Sequence, residues 1–153
     1  MATSYSVQKT KWDQNTPKTR IKPNEHGGRV RSSYALYEAA AVAVGPIEMF
    51  NLPNGARILS MQLVHDALGG STTLSLGHAA YVSSANVVVA LDVDEYKAAA
   101  ASTGIVTVGG ALTSALGLNS VVDADEDGIP ITVVLAGAAA TGTIELTCTW
   151  VLD

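Results

Sequence analysis

From Thr143 to Leu152 the chain alternates without a break. Ile144, Leu146, Cys148, Trp150 and Leu152 fall on one side, and Glu145, Thr147, Thr149 and Val151 on the other. Side chains two apart share a face only in an extended strand, so this stretch predicts a strand with one buried and one exposed face. Such a strand needs partners, and its half-polar pattern suits an antiparallel sheet. A fold without sheets is thereby excluded.

The rest of the chain agrees with that constraint. Ala56 to Asp66 reads as a strand with Leu59, Met61, Leu63 and His65 on one face and Ile58, Ser60, Gln62 and Val64 on the other. Ala35 to Val44, Ile47 to Leu52, Ser71 to Leu76, Ile105 to Val108 and Ile129 to Leu135 read as further strands, and Val87 to Leu91 as a short strand buried on both faces. Pro53-Asn54-Gly55 and Gly69-Gly70 supply turns. One helix is predicted, from Asp92 to Ser102. Asp92 stands as its N-cap, Glu95 lies three positions on, and four alanines follow. At about three turns it is marginal in isolation and has to pack on the sheet. Composition fits: 48% of residues are hydrophobic but only 5% aromatic, which favours tightly packed β layers over an aromatic-lined pocket. The fold expected is all-β, an antiparallel β-sandwich or jelly-roll-like body with one short helix.

The first 33 residues have a different texture. Lys9, Lys11, Lys18, Arg20, Lys22, Arg29 and Arg31 are punctuated by Pro17, Pro23 and Gly27-Gly28, with no helical periodicity. Seven cations against Asp13 and Glu25 give residues 1–31 a net charge of +5, whereas the remainder sets Arg57 and Lys97 against twelve acids, −10. The expected organisation is an extended basic arm over residues 1–33 and a β domain over residues 34–153. A cationic arm on an acidic body implies a partner for the arm, either another subunit or a polyanion. Trp12 and Ile21 are its apolar exceptions and the expected anchors.

A single cysteine, Cys148, permits no disulfide within the chain and suits assembly in a reducing cytoplasm. MATSYSVQKT lacks the apolar core of a secretory signal, and the longest apolar run, Ala39 to Val44, is six residues, too short to span a membrane.

Chemistry-bearing motifs are few. Asp123-Ala124-Asp125-Glu126-Asp127-Gly128 has the opening spacing of a calcium loop, making Asp123, Asp125 and Asp127 a weak metal candidate. Val134 stands where the bidentate glutamate belongs, and Ile129-Pro130-Ile131 continues as strand, so the bland reading is an acidic turn. His26, His65 and His78 lack zinc spacing, and Cys148, in register with Leu146 and Trp150, reads as a small core side chain. With neither a nucleophile elbow, a P-loop nor a dinucleotide fingerprint, no catalytic residue and no cofactor is expected. The arm would attract phosphate in a salt-sensitive way. Against nucleic acid stand the acidic body and an arm with little aromatic interleaving.

Several stretches resemble small tailed-phage virion proteins, the capsid decoration or cement proteins. The likeness is carried by Gly27-Gly28-Arg29-Val30-Arg31-Ser32-Ser33, by Phe50-Asn51-Leu52-Pro53-Asn54-Gly55-Ala56-Arg57-Ile58-Leu59, by Val64-His65-Asp66-Ala67-Leu68-Gly69, and by Ala140 to Thr147 before Trp150. What the resemblance implies is a β-sandwich or jelly-roll body, commonly trimeric, on the outer face of an icosahedral shell in the virion, bound across neighbouring major capsid subunits. It implies no active-site residues. The expected function is therefore capsid stabilisation, with the arm (Lys9, Lys11, Trp12, Lys18, Arg20, Ile21, Lys22, Arg29 and Arg31) clamping the lattice. The rival is a carbohydrate-binding or adhesion module of a virion, which requires a solvent-facing platform built from Tyr34, Tyr37, Tyr81 or Tyr96. An enzyme ranks third and requires a pocket joining two of His65, Asp66 and His78.

Overall fold

The structure, a computed structural model, describes residues 29–102 and 121–152 of the chain. Every regular element among them is a β-strand: β1 (Val30–Val42), β2 (Gly45–Leu52), β3 (Ala56–His65), β4 (Thr73–His78), β5 (Tyr81–Val82), β6 (Val88–Val89), β7 (Asp92–Ala101), β8 (Ile129–Ala136) and β9 (Ala140–Leu152). All pairings are antiparallel, in sheets of order β1-β9-β3, β2-β8-β4-β7 and β5-β6. The expected strand Ile105 to Val108 lies outside the described residues.

Short turns carry the chain between the two larger sheets. Gly55, at φ 78°, closes the Pro53-Asn54-Gly55 turn from β2 to β3, with the Ala56 N–H donating to Pro53 O at 3.1 Å. One core cluster draws on both sheets: Ile58, Met61, Leu63, Ile144, Leu146, Cys148 and Trp150 from the first, and Leu74, Leu76, Ile131, Val133 and Leu135 from the second. Each buried side chain of this size contributes about 1.5–3 kcal/mol of transfer free energy. β9 is central in its sheet, which is why its alternation is the cleanest in the chain. Ile144, Leu146, Cys148 and Trp150 are buried as expected, but Leu152 is 45% exposed and Val151 is buried.

β3 shows how one residue can invert a face. Met61, Leu63 and His65 point inward as expected, but Leu59 does not and Ile58 does. The β3–β9 register slips between Ile58 and Ser60, so Leu59 is an extra residue in a bulge and the parity before it is reversed. A second slip lies between Ala39 and Val42, where Ala41 takes φ 56° and β1 ends.

The predicted helix from Asp92 to Ser102 is a strand instead. β7 pairs with β4, and of its ten residues only Tyr96 is buried. A helix there would lack an apolar stripe to bury, whereas the edge of β4 offers backbone partners, and tertiary pairing overrides alanine's preference. The Lys97 ammonium donates to Leu74 O at 3.1 Å and adds a side-chain tie to the same strand. The stretch Val87 to Leu91 is also not a buried strand. Only Val88 and Val89 pair, with β5, and Val87, Val88 and Leu91 are 59%, 74% and 60% exposed.

Candidate functional site

The described part of the expected arm is its root. Arg29 is exposed just before β1, and residues 30–33 are the first of that strand. Arg31 lies opposite Trp150 in the β1–β9 register, with its guanidinium carbon 5.4 Å from the Trp150 ring centroid. The same indole donates its N–H to Ser33 Oγ at 3.0 Å. Trp150 is thus buried at the end of the core, its polar atom satisfied and one face covered by a cation. Lys9, Lys11, Trp12, Lys18, Arg20, Ile21 and Lys22 lie outside the described residues.

A groove of about 240 Å³ opens on the second sheet, lined by Pro46 of β2, His78 of β4, Thr132 and Val134 of β8, Leu91, Val93, Ala79 and Ala80. The start of β7 builds one wall. Between the pairs Leu76–Lys97 and His78–Asp92, two steps on β4 face five on β7, so the extra residues fold over Gly77. A Cβ on Gly77 would stand 2.0 Å from Asp92 O and 2.5 Å from Val93 C, so only glycine lets β7 pass this closely. Three acids belong to the same strands as the lining: Glu48, opposite Thr132 in the register, Asp92, opposite His78, and Asp94, next to Val93. The His78 Nδ1 lies 2.9 Å from Ala79 O. Because a carbonyl only accepts, Nδ1 carries the proton and a neutral ring keeps Nε2 as its acceptor.

His65 and Asp66 line a shallow pocket of about 90 Å³ with Val64, Thr143 and Glu145. The two side chains meet the adjacency condition for an enzyme, yet their hydrogen bonds are those of a closed turn. His65 Nδ1 faces the backbone O of Asp66 at 2.7 Å, the Asp66 carboxylate accepts from Thr143 N–H at 2.9 Å, and the Thr143 hydroxyl donates to Glu38 at 2.7 Å. The Thr143 bonds hold the Asp66 carboxyl below its usual range. The hydroxyl is thus committed to a second carboxylate rather than to the imidazole, which is not a base–nucleophile pair.

The acidic turn is likewise occupied with its own closure. Asp123 Oδ1 accepts from Ser84 N–H at 3.2 Å, Asp125 Oδ1 from Asp127 N–H at 3.0 Å, and the Asn51 amide donates to Asp127 O at 2.9 Å. No group of three or more His, Cys, Asp or Glu side chains able to hold a metal occurs among the described residues. The four tyrosines do not make one platform: Tyr34 is 59% exposed, Tyr37 and Tyr81 pack partly buried on the core, and Tyr96 is buried.

The groove was the feature least legible in sequence. Its residues come from four separated stretches, and the one local signal, apolar Val87 to Leu91, reads equally as core.

No family model matches the chain, and no curated protein matches it. Two solved structures share its fold. A chain in the capsid of Ralstonia phage GP4 superposes with a TM-score of 0.58 at 24% identity, over 82% of this chain and 86% of that one. A chain in the capsid asymmetric unit of cyanophage Pam1 superposes with a TM-score of 0.54 at 20% identity, over 91% of this chain and 97% of that one.

Proposed function

We propose that this protein is a structural component of a phage virion, a decoration protein that binds the outer face of the assembled capsid and stabilises the major capsid protein lattice. The observation that carries the reading is the fold shared with chains of two phage capsids across most of its length. The capsid resemblance of its sequence motifs points the same way. On this reading the two larger sheets form a β-sandwich of jelly-roll type, subunits associate as trimers, and residues 1–33 are an arm that clamps neighbouring capsid subunits. A ligand that binds only the closed shell shifts the equilibrium toward it, and an extended arm with repeated copies adds avidity. Arg and Lys pairing, backbone addition to sheet edges and the Trp12 and Ile21 anchors offset the entropy of ordering the arm.

The test removes residues 2–28, which leaves β1 and the Arg31–Trp150 contact intact. Binding of full-length and truncated protein to preassembled shells of the cognate major capsid protein is then compared. The expected result is strong binding by the full chain and weak binding by the truncated one. Equal binding refutes the arm clamp; no binding by either refutes the decoration role.

A further inference from the structure

We propose that the groove on the second sheet is a docking site for this chain's own N-terminal segment, with Trp12 of the same molecule as its occupant before assembly. This rests on the first 33 residues being a recognition arm, and adds where that arm is held when no lattice is present.

The groove calls for a particular kind of guest. Its volume of about 240 Å³ is below the roughly 300–1,000 Å³ of small-molecule sites and suits one large side chain. The lining is apolar except for Thr132 and His78. With Nδ1 engaged on Ala79 O, Nε2 is the ring nitrogen that His78 can offer a guest as an acceptor. An apolar body carrying a single N–H donor is the description of an indole, whereas Ile21 brings no donor. Leu91 and Val93 are 60% and 37% exposed at the rim and Val88 74%, a run of apolar surface that marks a contact site rather than a solvated hairpin.

Charge and reach select the occupant. Glu48, Asp92 and Asp94 are acids on the groove's strands, and the one cation of β7, Lys97, is turned to Leu74 O and Ala98 O. Trp12 is preceded by Lys9 and Lys11 in a segment of net charge +5. Sixteen residues lie between it and Arg29, a span of about 55 Å of extended chain, against a body roughly 35 Å across. A tethered segment meets its own groove at an effective concentration in the millimolar range, well above that of a neighbouring copy in dilute solution. Docked this way, the arm covers the apolar groove until the lattice offers it a tighter site.

The test uses the full chain with 5-fluorotryptophan at its two tryptophans, Trp12 and Trp150, read by fluorine NMR and assigned with Trp12→Phe. In the native protein the Trp12 resonance is expected away from its position in the unfolded chain, with a shift that is independent of protein concentration. Val134→Lys and Leu91→Lys, which place a cation in the groove, are each expected to move it to the unfolded position while the Trp150 resonance stays in place. Trp150 reports the fold, and Leu91, already exposed, is the variant safest for folding. A native Trp12 resonance at the unfolded position, or one unmoved by both variants, overturns the proposal. A shift lost on dilution also overturns it, since it assigns the groove to another copy's arm. None of these readings uses capsids, so the docking site and the capsid role fail separately.

Discussion

Arg31 covers the face of Trp150 at 5.4 Å, and so the last cation of the basic N-terminal segment is also a lid on the hydrophobic core. The register dictates this: β1 and β9 pair Arg31 with Trp150 and Ser33 with Cys148, placing both β1 side chains on the inward face at the end where the core meets solvent. The last residues of the basic segment, from Val30 on, therefore belong to an edge strand of the first sheet.

Arg31→Ala is expected to lower stability by about 0.5–1 kcal/mol, the size of a partly solvated cation–π contact. Urea unfolding in a Trp12→Phe background, followed by the fluorescence of the remaining Trp150, measures it. Arg31→Lys retains part of the loss, because the ammonium lacks the planar group that stacks on the ring. Identical midpoints for wild type and Arg31→Ala would show that the geometry contributes nothing.

Gly77 and Gly70 make a controlled pair. A Cβ on Gly77 meets the backbone of Asp92, Val93 and Asp94 at 2.0–2.8 Å, while one on Gly70 meets nothing within 4 Å. Backbone cannot rotate aside as a side chain can, so Gly77→Ala is expected to cost about 1–3 kcal/mol, as overpacking does. Gly70→Ala is expected to be near neutral. Thermal unfolding of the two variants side by side decides it, and equal melting temperatures would mean that β7 does not cross β4 as described.

How far the sequence reached follows from the same residues. β9 was legible because a central strand with one wet face writes its period directly into the side chains. Met61, Leu63 and His65 were legible from the same alternation although β3 is an edge strand, and Leu59 was not, since a bulge reverses parity and leaves no mark on composition. The stretch from Asp92 to Ala101 misled because acids followed by alanines are a local helix signal, while the pairing with β4 that makes it a strand is not local. Val87 to Leu91 misleads in the opposite sense: its apolar run suggests core, but Val87, Val88 and Leu91 are exposed and Leu91 lines the groove. The charge split between the first 31 residues and the rest was visible at once, yet nothing in it could place Arg31 over Trp150.

Cys148 offers a pH test with a defined sign. Burial pushes its thiol up to about 12, whereas in an unfolded chain a cysteine titrates near about 8.5. Above that lower value the unfolded state gives up a proton that the folded state keeps, so stability falls as pH rises. The contribution is fully present below about 8.5 and is lost as pH rises toward the folded value of about 12. Cys148→Ala should remove this part of the slope, seen by comparing chemical unfolding of both proteins across that range. The native thiol should also resist a thiol reagent at neutral pH and react on unfolding, since the thiolate is the reactive form. Fast reaction in the folded protein would contradict a buried Cys148.

Salt separates the contributions to the proposed capsid contact. The segment of residues 1–31 carries a net +5 and the remainder −10, so some of its attraction to any acidic surface must be screened as ionic strength rises. Apolar anchoring by Trp12 and Ile21 and backbone pairing at a sheet edge are not screened. Binding of the full chain to preassembled shells is therefore expected to weaken on raising salt and then level off at a finite affinity. Replacing Trp12 and Ile21 by alanine should lower that plateau while leaving the initial salt slope nearly unchanged. Lys18→Ala with Arg20→Ala and Lys22→Ala should do the reverse, flattening the slope and sparing the plateau. Complete release at modest salt would assign the contact to charge alone and remove the anchors from it.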